Sequence, residues 1–555
     1  MEVVASALPD KNHGRVVRPL PSPVILQFGA QSRFFRNGYP STMVMTEPDE
    51  QARWRSRLFL LGLLFVLGRV LLVLGPHKNS DVWIYADYVR EQELASQAGV
   101  SVEVWHAREV EAASRRLESQ FGYRPSLEEF HHIEYPPLAL QAARLPLLWM
   151  SHRESIPLDK EQFRAAYTTA YQWGMAFVDV VLCLLVVLLV RRFFPLEAIA
   201  DRTERLLAYI LATLALWPML YDRLDLVVGL LVAVALSCLA SRVPWLFSFA
   251  ALAVAINYKL VPVILTPIWL VGSLPVAAAR WSRVRTFGAL VVRGVVLMLL
   301  TIACFVPFFW RSGWESLGFF HYHETRGIEI NTLYSSLLLA LRGFGQNVEI
   351  YSSHTSINVR SALSPLLVNS SPFIVGGLLI AATILFLRHV RRLLRMFAAR
   401  GVAQDRLAEV EPALFASYSL LFLLIFIAAN KVLSPQYLLM TVPLVPLVSL
   451  TGRGRRWFLW SFVAMCLITT LHFPFLFQDL HWSSGGSFGQ PAFRWIALLD
   501  LRNLLLLGIT AGLGVALIRQ ARRCEPAGPA LTAAEDSISH EKNSENARRA
   551  IGFQH

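Results

Sequence analysis

Residues 413–450 read ALFASYSLLFLLIFIAA, then NKVLSPQYLL, then MTVPLVPLVSL. The first and last parts have the composition of a helix in lipid, but the middle part contains Lys431, Pro435 and Gln436. Proline in a helix interior removes a hydrogen bond, and a charge inside a bilayer is costly unless it has a use. The stretch therefore predicts a broken membrane helix whose break carries polar groups.

The composition of the whole chain is typical of a multi-pass membrane protein. Its 555 residues are 55% hydrophobic and 16% charged, and its mean hydropathy is +0.46. Repeated apolar runs of about 18–25 residues are each long enough to cross a bilayer. The net charge of +13 comes from arginines beside these runs, as the positive-inside rule expects of cytoplasmic loops. No nucleic-acid partner is therefore expected, and the cysteines show no disulfide pattern.

The arginine positions predict about 12 crossings with both termini in the cytoplasm. The predicted spans lie at 58–75, 166–190, 205–220, 224–241, two short segments within 245–273, 287–310, 372–390, 413–429, 434–450, 457–475 and 497–519. The segment from Asn79 to Tyr135 contains 11 Asp and Glu against 5 Arg, which fits a large extracytoplasmic first loop. The apolar stretches 136–150 and 333–342 are too short to span and are expected to be interfacial helices.

The expected fold is thus all-α, a polytopic membrane bundle with a large first loop and short interfacial helices. Residues 1–50 are polar and show no periodicity, which predicts a disordered cytoplasmic arm. Residues 51–520 form the predicted membrane domain, and 521–555 the predicted disordered cytoplasmic tail.

Polar residues collect at the predicted outer ends of the spans. Only six of the 52 basic residues are lysine, yet Lys259 and Lys431 both lie in apolar regions near a proline. Together with Arg223 and Arg326 they would suit an anion, and near a membrane surface the obvious anion is a lipid phosphate. The alternative for each residue alone is that its charge reaches the lipid headgroups and only anchors the helix.

A transfer reaction at such a site would also need a base. Asp81 follows the first span in HKNSDVWIYADY, at the predicted outer edge of the membrane. It could take a proton from an incoming hydroxyl group, although a cap for a helix starting at Val82 is compatible with the same position. Asp179, inside a predicted span, is expected to be a structural hydrogen-bond partner.

Five segments resemble the GT-C superfamily, and most closely its bacterial polyprenyl-phosphate-mannose-dependent α-mannosyltransferases, which are similar to the catalytic subunit of GPI mannosyltransferase I. In chain order they are NSDVWIYADYV, EYPPLA, NYKLVPVILTPIWL, FFHYHETRGIEINTLYSSL and NKVLSPQYLL. The last is the most specific. The family's acidic motif is often Asp-x-Asp, whereas here Asn79 stands at the first acidic position and Asp81 at the second.

The resemblance implies roles for particular residues. Asp81 and Asp87 match acidic, catalytic positions. The matching groups that would bind the donor phosphate or sugar are Lys259, His321, His323, Arg326, Lys431 and Gln436. Arg223 lies outside the five segments and joins this set as one of the polar residues at the outer span ends. No cofactor is implied, and the loss of an acidic residue at Asn79 leaves a divalent metal uncertain.

The function implied is an inverting transfer of a sugar, expected to be mannose, from a polyprenyl-phosphate donor to a hydroxyl outside the cytoplasm. The acceptor is a glycolipid, a glycan or a protein, and the expected location is a bacterial plasma membrane, or the endoplasmic reticulum of a eukaryote. The alternative is a transporter or flippase for an anionic lipid-linked substrate, which also uses broken helices. A binding or scaffold protein without activity is the third possibility.

Overall fold

A computed structural model of the chain describes residues 47–74, 82–100, 102–121, 135–150, 159–353, 356–399, 406–479 and 491–523. Nearly all of the predicted N-terminal arm and C-terminal tail, and Asp81, lie outside these residues. The α-helices are α1 (Glu47–Leu74), α2 (Val82–Gln97), α3 (Val102–Phe121), α4 (Pro137–Ala142), α5 (Lys160–Phe193), α6 (Ile199–Ala215), α7 (Trp217–Leu220), α8 (Asp225–Leu239), α9 (Trp245–Tyr258), α10 (Thr266–Gly272), α11 (Arg283–Ser312), α12 (Gly318–Thr325), α13 (Leu333–Arg342), α14 (Ser364–Ala399), α15 (Leu407–Val410), α16 (Pro412–Ala429), α17 (Tyr437–Thr441), α18 (Gly452–Thr470) and α19 (Phe493–Arg523).

The helices have the lengths and surfaces of an integral membrane protein. Within the described ranges, six helical stretches are long and apolar enough to cross a membrane, and they lie in α5, α11, α14, α16, α18 and α19. Their outer faces carry large apolar side chains, such as Phe177, Phe287 and Phe373, which are 68%, 69% and 81% exposed. Water penalises such a surface by roughly 25 cal/mol per Å², whereas lipid tails do not.

The predicted count of about twelve crossings is not confirmed. Several predicted spans fall on shorter apolar helices, which over the described residues are Asp225–Leu239, Trp245–Tyr258, Val261–Gly272, Leu333–Arg342 and Tyr437–Leu447. The helix α8 has 15 residues, so it is about 22 Å long and shorter than the roughly 30 Å apolar core of a bilayer. Apolar runs of similar hydropathy therefore belong to two length classes here.

Both predicted helix breaks are present. The helix α9 ends at Tyr258, Lys259 is extended (φ −155°, ψ 130°), and a short 3₁₀ helix precedes α10. The helix α16 ends at Ala429, Asn430 is extended (φ −83°, ψ 148°), and α17 begins only at Tyr437. A proline follows each break within a few residues and cannot donate to a helical carbonyl group.

A buried arginine holds the end of the second broken segment. Arg205, on α6, donates to the carbonyl oxygens of Pro446, Val448 and Leu450 at 2.9–3.0 Å. Its charge is paired with Glu197, 2.7 Å away. The Pro446 carbonyl group is at the end of the 3₁₀ helix Val442–Leu447 and the other two follow it, so the arginine supplies bonds that the irregular backbone there cannot make for itself.

The prediction of an all-α fold is wrong in one place. The strands β1 (Ile328–Glu329), β2 (Glu349–Ser353) and β3 (Ser356–Arg360) form an antiparallel sheet of order β1-β3-β2 in the described part of the chain. Ile350 pairs with Val359, and both contribute to a small apolar core with Trp495 and Leu499 of α19. This core also includes Leu338 and Leu339, so the predicted helix 333–342 exists as α13 but packs against the sheet.

The predicted interfacial helix 136–150 is also helical, but in two pieces. The short α4 is followed by the 3₁₀ helix Leu145–Leu148. The polar first loop contains α2 and α3, and α2 packs against the first half of α5.

Candidate functional site

The first helix break brings a lysine to a buried carboxylate. Lys259 Nζ donates to Asp225 Oδ1 at 2.6 Å, and the two side chains are 11% and 0% exposed. Asp225 begins α8, where the N-terminal end of the helix favours a negative charge. The pair is therefore a buried, charge-assisted contact at the point where α9 ends.

Aromatic rings enclose the same ammonium group. Lys259 Nζ lies 4.4 Å from the ring centroid of Tyr437 and 5.9 Å from that of Tyr135. The backbone of α17 approaches α8 closely at Gly229, where a Cβ atom would lie 3.1 Å from the carbonyl oxygen of Leu439. The two helix breaks thus meet at Lys259, since one supplies the lysine and the other supplies Tyr437.

A tyrosine cluster extends from Tyr135, whose ring lies near this lysine. The hydroxyl groups of Tyr85 and Tyr135 are 3.0 Å apart, and the Tyr85 ring stacks on Tyr171 at 5.6 Å. Next to Tyr171 in sequence, Gln172 donates to Asp222 at 3.0 Å. Residues from α2, α5 and the turn before α4 therefore form a cluster that reaches Lys259 through Tyr135.

The second break carries its lysine to another segment. Lys431 Nζ donates to the carbonyl oxygen of Glu324 at 3.0 Å, near the end of α12. The carbonyl oxygen of Lys431 in turn accepts from the backbone N–H of Glu329 at 3.0 Å. Both contacts join the NKVLSPQYLL segment to the HYHETRGIE segment. These are parts of two of the five segments that carry the family resemblance.

Arginines lie beside the buried carboxylate of Glu329. Arg326 Nη2 lies 3.8 Å from Glu329 Oε2, and the two side chains are 3% and 7% exposed. Arg502 donates to the carbonyl oxygen of Asn331 at 2.6 Å, and Asn331 Nδ2 donates to the Glu329 carboxylate at 3.3 Å. The charges of Asp225 and Glu329 both act on the pKa of Arg223.

The cations of this site are held at an energetic cost. Burial lowers the pKa of Lys431, and the charge of Arg326 lowers it further, whereas Glu324 acts in the opposite direction. Burial likewise lowers the pKa of Arg223 to about 10, against the effects of Asp225 and Glu329. Arg223 therefore remains protonated at neutral pH, and an added anion would reduce the cost of keeping either group charged.

The remaining predicted ligands lie on the same segments. Gln436 is buried (3% exposed) immediately before Tyr437. His321 and His323 are both on α12, and His323 is half-buried. This cluster of positively charged side chains is called the cation site from here on. It consists of Arg223, Lys259, Arg326 and Lys431 with the carboxylates of Asp225 and Glu329. Four positive charges face two negative ones in this set.

The two aspartates predicted to be catalytic have different outcomes. Asp81 lies outside the described residues. Both carboxylate oxygens of Asp87 accept from Arg164, with Nε at 2.8 Å from Oδ1, and Lys160 is 3.1 Å from Oδ2. This environment is typical of a structural ion pair, and the catalytic role of Asp87 stays a prediction.

Asp179 has the structural surroundings that were expected of it. Arg69 Nε donates to Asp179 Oδ2 at 2.8 Å, and Tyr221 donates to the same oxygen at 3.1 Å. Arg69 also donates to Thr213 at 2.6 Å. The group joins α1, α5 and α6 in the interior of the bundle.

Sequence reasoning selected the cations of the site and missed two partners. The sequence predicts neither Asp225 nor Glu329 as a site residue. Both are buried beside selected cations, and each lies in an apolar context, DLVVG and IEI. A lone carboxylate in such a context is a usable indication of a buried cation nearby.

Among the described residues, no group of three or more His, Cys, Asp and Glu side chains is arranged to hold a metal ion. The acidic segment around Asn79 and Asp81 lies outside those residues.

No family model and no curated protein matches the chain. Among solved structures, the chain is similar to ArnT from Cupriavidus metallidurans in the apo state. The sequences are 15% identical, the match covers 83% of this chain and 76% of that one, and the TM-score is 0.36. A likeness of this degree carries no argument about fold or function.

Proposed function

We propose that the protein is a membrane-embedded inverting glycosyltransferase that moves a sugar, expected to be mannose, from a polyprenyl-phosphate donor to an acceptor hydroxyl. The acceptor is a glycolipid, a glycan or a protein outside the cytoplasm. In this proposal the enzyme is a member of the GT-C superfamily and lies in the plasma membrane. The membrane domain 51–520 carries the reaction, and the two polar ends of the chain stay in the cytoplasm.

The observation that supports this proposal is the cation site itself. Lys259 and Lys431 lie at two separate helix breaks. Lys259 pairs with Asp225, and the backbone of Lys431 accepts from Glu329, whose carboxylate lies 3.8 Å from Arg326. Positive charges in excess at the edge of an apolar bundle fit a ligand with a phosphate and a hydrocarbon tail. The phosphate meets the cations, and the polyprenyl chain lies along the exposed apolar helices.

The reaction that suits such a site is a single displacement. The acceptor oxygen attacks the anomeric carbon, the bond between that carbon and the phosphate oxygen breaks, and the polyprenyl phosphate leaves with the bonding electrons. The cation site stabilises the charge that gathers on the departing phosphate. A base opposite the leaving group takes the hydroxyl proton, and we assign that step to Asp81. One displacement inverts the anomeric centre.

The test is a transfer assay with the full chain in membranes. Labelled polyprenyl-phosphate mannose, glucose and arabinose are each offered with extracted glycolipid and glycan acceptors. We expect label to move from one donor to an acceptor with inversion of the anomeric centre. We expect this transfer to be lost in a Lys259→Met variant. If no donor is used but reconstituted protein moves the labelled lipid between leaflets, the transporter hypothesis replaces this one.

A further inference from the structure

Glu329 is the most firmly held residue of the cation site. Its backbone N–H donates to the carbonyl oxygen of Lys431 at 3.0 Å. Its own carbonyl oxygen accepts from the Thr332 hydroxyl at 2.9 Å and from the Ser335 hydroxyl at 2.6 Å. Its carboxylate accepts from Asn331 Nδ2 at 3.3 Å. The main chain therefore fixes where this buried carboxylate stands.

Two arginines from separate parts of the chain lie beside this carboxylate. Arg326 follows α12, and Arg502 is on α19. Arg326 Nη2 is 3.8 Å from the carboxylate, and Arg502 donates to the carbonyl oxygen of Asn331, whose Nδ2 donates to the same carboxylate. A guanidinium group buried without an anion is strongly destabilised, so both buried arginines need the negative charge of Glu329.

We propose that Glu329 is a positioning residue, whose carboxylate holds the guanidinium groups of Arg326 and Arg502 in place so that the anion-binding cluster is assembled before a phosphate arrives. The inference rests on the proposed function in one respect only, that the ligand is a lipid phosphate. Glu329 does not touch the reacting atoms in this scheme.

Removing the charge of Glu329 should weaken phosphate binding, whereas the net charge of the site alone would predict tighter binding. Glu329→Gln keeps the shape of the side chain and removes one negative charge from the site. If Glu329 were only a nearby anion, its loss would make the site more positive and phosphate would bind more tightly. If Glu329 positions the arginines, they separate and phosphate binds more weakly.

The experiment measures binding of farnesyl phosphate to the full chain in lipid nanodiscs, without acceptor or turnover. The matched control is Glu349→Gln, since Glu349 is an exposed acid on the same sheet, paired with Arg360 at 2.7 Å. We expect Kd to rise about tenfold or more in Glu329→Gln, a loss of roughly 1.4 kcal/mol. The Kd of Glu349→Gln should stay within about twofold of the wild type.

An unchanged or lower Kd in a folded Glu329→Gln protein overturns the inference and leaves the proposed function standing. If Glu329→Gln does not fold, Glu329→Asp serves instead, because it keeps the charge but withdraws it by one methylene group. We then expect a weaker Kd than that of the wild type, and an equal Kd overturns the inference. If wild-type protein does not bind farnesyl phosphate, the donor site of the proposed function is wrong and the inference fails with it.

Discussion

Lys431 has a contact within the protein that a lysine serving only as a lipid anchor would not need. A lysine that only anchors its helix extends its ammonium group to the headgroups, whereas Lys431 donates to the carbonyl oxygen of Glu324 within the protein. An ammonium group has three donors, so this bond leaves capacity for a phosphate oxygen. The contact fits a lysine that is fixed in place for a ligand.

Substitution of Lys431 should separate these two roles. Lys431→Met is expected to raise the KM for the donor about tenfold or more, because a hydrogen bond to a charged group contributes roughly 1.5–3 kcal/mol. Lys431→Arg should recover only part of the loss, since a planar guanidinium group presents its donors in other directions. The KM for the acceptor is the internal control. Donor kinetics unchanged in Lys431→Met would leave only the anchoring role.

The lowered pKa of Lys431 also predicts a pH dependence. Burial and Arg326 favour the neutral amine, so the proton is lost at a lower pH than from an ordinary lysine. Loss of the charge weakens phosphate binding, and kcat/KM for the donor should fall as pH rises through that lowered pKa. In Lys431→Arg, kcat/KM for the donor should stay high up to a higher pH, because arginine stays charged. Coincident alkaline limbs in the two proteins would assign the titration to another group.

The two predicted catalytic aspartates should behave differently when each is changed to asparagine. Asp81→Asn is expected to lower kcat by about 10²–10⁴ with little change in stability, because a base is lost. Asp87→Asn should instead lower the melting temperature, since it leaves Arg164 and Lys160 without their carboxylate. Transfer rates and thermal unfolding in detergent, measured on both variants, distinguish these outcomes. Normal turnover in Asp81→Asn would remove the base from that position.

The cations of the site could be predicted from the sequence, but their arrangement could not. A lysine in an apolar run is costly, so Lys259 and Lys431 stand out in one dimension. Their partners do not, because Asp225 is 34 residues from Lys259 and Glu329 depends on a strand that hydropathy does not reveal. Charge compensation is a property of three-dimensional neighbours, and the sequence order carries little information about it.

At the scale of elements, one polar group holds α1 in the bundle. Much of this helix is exposed, with Phe59 at 71% and Leu71 at 72%. Arg69, in contrast, is buried against Asp179 and Thr213. Leu61 and Phe65 of α1 belong to the apolar core, and the buried ion pair adds a specific polar contact that fixes the position of the helix. Asp81 follows this helix in sequence, so the pair also bears on where the predicted base stands.

Breaking the Arg69–Asp179 pair should therefore destabilise the protein. Arg69→Met is expected to cost about 3–5 kcal/mol, because it leaves a buried carboxylate without its cation. Arg57→Met, at an exposed position on the same helix, is the control and should change little. The double variant Arg69→Met, Asp179→Leu should recover much of the loss, since both charges are removed. Thermal unfolding of the purified variants gives the comparison, and an unaltered Arg69→Met would show that α1 is held otherwise.

Helix breaks were predictable at this scale, and the sheet was not. Proline and lysine together inside an apolar run indicate a break, as at Lys259 and at Lys431. The strands β2 and β3 have five residues each, which is too short for an alternating pattern to stand out from a loop. Span lengths were overestimated for a related reason, since a 3₁₀ helix with prolines at 443 and 446 has the hydropathy of a membrane helix without its length.

At the scale of the whole molecule, the arginine asymmetry makes a topology prediction that remains to be tested. We expect α3 to lie outside the cytoplasm and the C-terminal end of α14 to lie inside. In a chain whose five native cysteines are replaced, Glu118→Cys should react with an impermeant maleimide in intact cells. Arg391→Cys should react only after the membrane is opened. Labelling in the reverse order would invert the topology and place the proposed site in the cytoplasm.

The contact of Arg205 with the backbone at 446–450 constrains how the protein is made. Arg205 is side-chain buried, yet its carbonyl acceptors lie 241–245 residues later in the chain. During synthesis α6 must therefore wait for that segment with Glu197 as its early partner, in the insertion machinery or in the lipid headgroup layer. The packing around Arg205 can therefore form only after residues 446–450 have been synthesised. A nascent chain that stops before residue 446 would leave the Arg205 guanidinium group without these carbonyl acceptors, where quality-control proteases could recognise it.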